Sequence, residues 1–452
     1  MPNNSAEFAL GLVFAHATRS ALALFFRAVL WQRWCLRFFL PYRATVAKQA
    51  PPFTFFFLHS ATAWPIGVVG LALANNLVRA GVSVGHVAAM VAATSLAFTF
   101  EFMWAPLVDS SLTRKAWYAI GVTIMCVSLF AMFVIPWKDA AVQALTLLAF
   151  ASCTGAAVAA VAVKGIMAYD VQPERMGAAS GFYTAGGTFA KAVAGAGTLL
   201  LLTHLSSKTF SACISIAPAV VAAAAIALAS PGYRPLLREF GAKLTGSLLE
   251  LGDFIRTRNG LLIALLCVLP FGAGTEAGLI GAISREWSVS ANQLALFSTL
   301  GAGTNIAAAI LAGWLATKIG PWTTYIGSGL TMIVVMIIFA FAPRTSLVFL
   351  GAELFYRALS VGCYAALLSI VMTAIGNGAA STKAAVMWSL TNFSYFYPTL
   401  IEGAIHDRSG TAAMLLTDAL LGATGFAILI IALRVLGAPA ARALVLRDLT
   451  NR

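Results

Sequence analysis

The chain has 452 residues, of which 60% are hydrophobic and only 10% charged, and it carries a formal net charge of +13. A soluble domain has about 25% charged residues, so this chain cannot cover a water-facing surface and is read as embedded in lipid. Its apolar stretches are long and unbroken, not alternating, which excludes a β-barrel. An all-α polytopic membrane protein remains, because helices satisfy their backbone groups inside each span.

Residues 1–50 come first and stand apart. On a helical wheel His16, Arg19, Arg27, Arg33 and Arg37 fall within an arc of about 120°, which suits an amphipathic helix lying on the cytoplasmic membrane face. The alternative is a floppy tail or a start codon placed too early. The arginines follow the apolar run, so a signal peptide is not expected.

Twelve spans then follow, near 53–79, 86–108, 115–136, 140–168, 176–204, 209–230, 260–284, 291–316, 322–342, 346–374, 383–406 and 411–436. Turn residues separate them, among them Gln172-Pro173-Glu174-Arg175, Ile319-Gly320-Pro321 and Asp407-Arg408-Ser409-Gly410. The expected organisation is a six-helix bundle over 51–230, a cytoplasmic connector over 231–259, a second six-helix bundle over 260–437 and a tail over 438–452. The connector's Leu249-Glu250-Leu251 pattern is compatible with a helix.

With the N-terminus in the cytoplasm, about 20 Lys and Arg fall on inner segments and about six on outer ones, as the positive-inside rule requires. Topology therefore explains the basic charge, and no nucleic-acid partner is called for. Shifting the chain by about 208 residues lays the first span on the seventh, and Ala105-Pro106-Leu107-Val108-Asp109 on Gly313-Trp314-Leu315-Ala316-Thr317. A weak repeat of two like-built halves is the parallel-repeat plan of many secondary transporters. The six cysteines are scattered with no CxxC pair, so they read as small buried hydrophobes, and no metal or other cofactor is expected.

The segment Ala105 to Lys115 resembles the loop between the second and third helices of the major facilitator superfamily, whose pattern is Gly-x-Leu-x-Asp followed by cations. Ala105 stands for the glycine, Leu107 and Asp109 fit, and Arg114-Lys115 supply the charge. The second copy, Gly313-x-Leu315-x-x-Lys318-x-Gly320, keeps its glycines but has Thr317 in place of the acid. "FMWAPLVD" and "VQPERMGAASGFYTAGG" are similar, more narrowly, to the branch of muropeptide permeases, acetyl-coenzyme A transporters and siderophore importers. The resemblance implies twelve transmembrane helices in two six-helix bundles. It also implies a gating contact on the cytoplasmic side between Asp109, flanked by Arg114 and Lys115, and the start of the eleventh helix near Ser381-Thr382-Lys383. That contact would form when the protein opens outward and break when it opens inward. A solvated loop aspartate is the plainer alternative.

Ionisable residues inside spans are costly and mark cavities or partners. Glu101 and Lys164 lie at similar depth in the second and fourth spans, so a pair is expected, either functional or only structural. Lys191 in the fifth span is the leading candidate for an anionic substrate group, against pairing with Glu101 or snorkelling. Glu353 and Arg357, i,i+4 in the tenth span, can bond each other. Glu276 and, nearer the aqueous rim, Glu402 are candidates to take a proton from outside. His59, Trp64, Asn75, Tyr183, Asn305, Asn392, Tyr395 and Tyr397 complete the expected polar interior, though each alone is more often a packing or hydrogen-bonding group. Pro65 and Pro270 suggest paired bends.

A secondary transporter follows: proton-coupled uptake of a small organic solute, anionic or amphipathic, by a monomer in the bacterial inner membrane, with both termini cytoplasmic. No phosphate-binding Gly-x-x-x-x-Gly-Lys-[Ser/Thr] run supports a primary pump. The alternatives are a drug or metabolite exporter of the same fold, an intramembrane transferase, for which the one cluster, His406-Asp407-Arg408, reads instead as a short outer turn, or a transport-dead sensor.

Overall fold

The computed structural model describes residues 50–80, 82, 84–135, 141–204, 216–223, 240–270, 283–289, 291–376 and 378–436. The expected amphipathic helix within residues 1–50, most of the sixth span, and Glu276 in the seventh lie outside them, as do the side chains of Asn75 and Tyr395. Among the described residues every regular element is helical.

The first helix of the described residues is α1 (Thr54–Gly67), which runs through a π-helical stretch, Val68–Leu73, into α2 (Ala74–Arg79). Pro65 lies inside α1 and has no N–H to give the preceding turn. The wider π-helical stretch begins three residues later. The expected second span is not one helix. It is α3 (Val84–Thr99), a 3-10 turn at Glu101–Met103, and α4 (Ala105–Ser110). Pro106, near the start of α4, has no N–H to give the Phe102 carbonyl and its ring crowds that carbonyl, which loosens the turn upstream.

Next come α5 (Arg114–Val134), α6 (Val142–Asp170) and α7 (Met176–His204). The connector does contain a helix, α8 (Phe240–Arg256). The following α9 (Arg258–Val268) stops earlier than the expected 260–284 span. Leu269 is extended (φ −67, ψ 140) because it precedes Pro270. Then α10 (Ala291–Lys318), α11 (Pro321–Phe341) and α12 (Ser346–Ile375) follow. The last two spans form one helical run, α13 (Ala380–Leu436), jointed at Gly410 (φ 80, ψ −179), whose positive φ only glycine adopts cheaply. Of the expected turn Asp407–Gly410, that single residue leaves helical geometry. Thr113, Thr257 and Thr345 cap α5, α9 and α12 by accepting a hydrogen bond from the N–H three residues on.

Seven helical stretches among the described residues are long and apolar enough to cross a bilayer. Their outward faces carry Leu147, Phe341, Leu347 and Val435, all exposed. Small residues set the contacts within the bundle. A Cβ on Gly121 of α5 would sit 2.5 Å from the Gly155 carbonyl oxygen of α6, and one on Gly155 would sit 2.6 Å from that of Gly121. Between α1 and α7, a Cβ on Gly186 would meet the Phe56 carbonyl oxygen at 2.1 Å, and one on Gly67 would meet that of Lys191 at 2.2 Å. The Ser60 hydroxyl, donating to the Gly186 and Phe56 carbonyls, pins the same crossing. Gly186→Ala is therefore expected to destabilise by about 1–3 kcal/mol. Gly70→Ala, where nothing lies within 4 Å, serves as the comparison in thermal unfolding of the purified protein.

Candidate functional site

Two clusters of polar side chains sit where helices before the connector meet helices after it. The first closes one end of the bundle. Asp109, near the end of α4, accepts hydrogen bonds from the Thr382 N–H at 2.8 Å, the Thr382 hydroxyl at 2.9 Å and the Ser381 N–H at 3.4 Å. Those N–H groups lie in the first turn of α13, where a helix leaves donors unpaired and attracts an anion. Arg114 completes the carboxylate's shell at 3.2 Å and lies over the Tyr169 ring at 3.9 Å. Lys115 follows it, half-buried.

On the same end, α7 and α10 meet backbone to backbone. A Cβ on Gly181 would be 2.7 Å from both the Ala309 oxygen and the Gly313 Cα. One on Gly177 would be 2.8 Å from the Thr317 nitrogen. The connector helix lies against α4 and the start of α13. Its Glu250 reaches to 4.0 Å from the Lys383 ammonium, which donates to the Ile375 carbonyl at 3.3 Å and sits 5.6 Å above the Phe254 ring.

The second cluster is interior. Glu101, in the 3-10 turn, and Lys164 of α6 form an ion pair, each side chain 1% exposed. On one side of Lys164 the Trp388 ring of α13 stands 5.0 Å away. Trp388 donates its indole N–H to the Tyr364 hydroxyl at 2.8 Å. Tyr364 borders a cavity of about 20 Å³, room for a water, whose other polar walls include Tyr325, Ser360, Thr391 and Ser394. Across the interior, His59 of α1 and Tyr183 of α7 are stacked at 3.6 Å, and the His59 Nδ1–H donates to the Tyr183 carbonyl at 2.6 Å.

Several expected residues stand apart from this centre. Lys191 is exposed, with its backbone against Gly67. Trp64 is buried, and its indole N–H has no hydrogen-bond partner among the described residues. The same holds for the Asn305 side-chain oxygen. Asn392 is half-buried, one turn beyond Trp388. Tyr397 donates to the Val268 carbonyl at 3.0 Å, tying α13 to α9. Glu402 is buried, not rim-exposed. Arg357 approaches Glu353 to 2.9 Å. The approach is off the hydrogen-bond direction, so neither Glu353 oxygen accepts one. Close to this pair in sequence, Tyr356 donates to a buried Asp418 at 2.7 Å.

Trp388, Tyr364 and Asp418 escape the sequence reading. The rule that flags Glu402, an ionisable group within a span, flags Asp418 equally. Trp388 and Tyr364 leave no such mark.

A multi-pass helical bundle with a charged interior, and one end sealed by contacts between its earlier and later helices, defines a membrane transporter architecture. The sequence matches the Major Facilitator Superfamily over residues 53–401, and the chain belongs to that superfamily. Among solved structures it is similar to the human organic anion transporter MFSD10, with 16% identity, TM-score 0.61, and coverage of 84% of this chain and 98% of that one. It is also similar to a bacterial homologue of the iron transporter ferroportin in an outward-facing state (14%, TM-score 0.60, 86% and 98%). A third is the proton:xylose symporter XylE (13%, TM-score 0.59, 83% and 92%). At these identities the likeness is one of fold. No curated protein matches the chain.

Proposed function

We propose that the chain is a secondary active transporter that takes up a small anionic or amphipathic organic solute across the bacterial inner membrane, driven by protons, with both termini in the cytoplasm. Its two groups of helices rock about the interior cluster, so that the site faces one side at a time. The observation that carries this reading is the contact of Asp109 with Ser381 and Thr382. It joins α4 to α13 at one end of the bundle, through groups that separate without unfolding either helix.

Hydrogen bonds to a charged group contribute about 1.5–3 kcal/mol each. Losing this set in Asp109→Ala is expected to open that end by at least about tenfold. Ala380, fully buried at the contact, reports it. Ala380→Cys, in a background whose native cysteines are replaced, is expected to resist an impermeant maleimide in membrane vesicles and to label readily once Asp109→Ala is added. Equal labelling with and without Asp109 would remove the gating role. Solute uptake that ignores an imposed pH gradient would remove proton coupling.

A further inference from the structure

We infer that the arginines where the connector enters the bundle bind the phosphate headgroup of an anionic phospholipid, and that this lipid straddles the joint between α8 and α9. Arg256 ends α8 and Arg258 begins α9. Between them Thr257 is extended (φ −70, ψ 149), so the chain changes direction with a guanidinium on either side. The Arg258 Nη1 lies 3.4 Å from the Leu436 carbonyl, in the last turn of α13, where Arg434 also stands. A guanidinium has five N–H donors, and this bond uses one. Among the described residues Arg258 makes no other polar contact and Arg434 makes none. Arg256 meets Asp253 only at 4.0 Å, the two side chains 85% and 78% exposed, a pair that holds neither in place. Three guanidinium groups therefore face one acid, and each offers a planar fork that takes phosphate oxygens in pairs.

A lipid fits this surface better than a soluble acidic partner does. Residues three and four apart share a helix face. Leu261, exposed, lies three residues beyond Arg258, and Ile431, also exposed, lies three before Arg434 and four before the exposed Val435. Each arginine thus ends an apolar stripe, which acyl chains cover while the headgroup meets the cations. Depth agrees. At 1.5 Å per residue, Arg434 stands about 36 Å along the last helical stretch from the joint at Gly410. The hydrocarbon is about 30 Å thick, so with Gly410 at one edge Arg434 clears the other and reaches the phosphates. The connector helix α8 is seated on α4 and the start of α13. A headgroup held by Arg256 and Arg258 together therefore fixes the angle at which that helix leaves the later helices, and lipid charge bears on the connector.

The test uses the purified, delipidated full-length protein in detergent micelles, mixed with dioleoylphosphatidylglycerol or dioleoylphosphatidylcholine. Native mass spectrometry counts the lipids retained. Phosphatidylglycerol is expected to bind at least about tenfold tighter than phosphatidylcholine, and the preference is expected to shrink as salt is raised. Arg256→Gln/Arg258→Gln/Arg434→Gln is expected to abolish the preference. Arg175→Gln/Lys318→Gln/Arg408→Gln removes as many exposed charges elsewhere and is expected to keep it. Equal retention of the two lipids by the native protein overturns the inference, whether or not any variant folds. So does an equal loss in the two triple variants, which would mark a response to net charge alone. Glycerol 3-phosphate is expected to leave the lipid in place. Displacement by it would show that the arginines take a free phosphoester, and the lipid assignment would fall.

Discussion

Replacing Lys164 by Met is expected to destabilise the protein by about 3–5 kcal/mol, the cost of stripping the partner from a fully buried charge. Glu101→Leu should cost a similar amount for the mirrored reason. The double substitution Glu101→Leu/Lys164→Met should recover most of the loss, since two apolar side chains of comparable volume need no counter-charge. Each side chain is 1% exposed, so water cannot rescue either single variant. Thermal unfolding in detergent measures all three. Losses that simply add in the double variant would show that the two residues do not compensate one another. Recovery of stability in the double variant with no recovery of transport would separate the pair's role in folding from its role in the site.

Gly181→Leu is expected to hold the Asp109 end open. The carbonyl of Ala309 and the Cα of Gly313 both lie 2.7 Å from where the new Cβ would stand, and backbone atoms cannot swing aside as a side chain can. Overpacking of about 1–3 kcal/mol, borne only by the closed arrangement, shifts the balance of states by roughly 5- to 150-fold. Ala380→Cys should then label with Asp109 intact. Gly197→Leu on the same helix, where nothing lies within 4 Å, should leave labelling unchanged. Unfolding of the Gly181 variant with no gain in labelling would mean that the crossing holds the fold and does not act as a moving seam.

Depth along a helix is legible in a sequence; rotation about its axis is much less so. Glu101 and Lys164 are placed together by counting 1.5 Å per residue from the ends of their spans, and the structure pairs them even though Glu101 sits in a 3-10 turn. Asp109 is legible because the resemblance covers its whole loop and names the helix it meets. For Lys191 only the depth is legible. In a lipid-embedded helix such as α7 both lipid and protein faces are apolar, so no stripe indicates which way its side chain turns. Trp388 and Tyr364 are hidden for a related reason. Aromatic residues are common throughout these spans, and only their distance to Lys164 and to each other distinguishes them. The interruptions of α3 and α9 were written in Pro106 and Pro270, whose local effect overrides the hydropathy of the surrounding run.

The segment joining the two sets of helices is a rod over most of its described length. The 17 residues of α8 span about 25 Å as a helix, where the same residues drawn out would reach about 56–60 Å. Drawn out, those residues would leave the earlier and later helices free to part at this end well beyond the rod's length. Seated on α4, with Glu250 4.0 Å from the Lys383 ammonium, the rod is instead a third body at this seam, and any parting of α4 from α13 has to leave it on one side or the other.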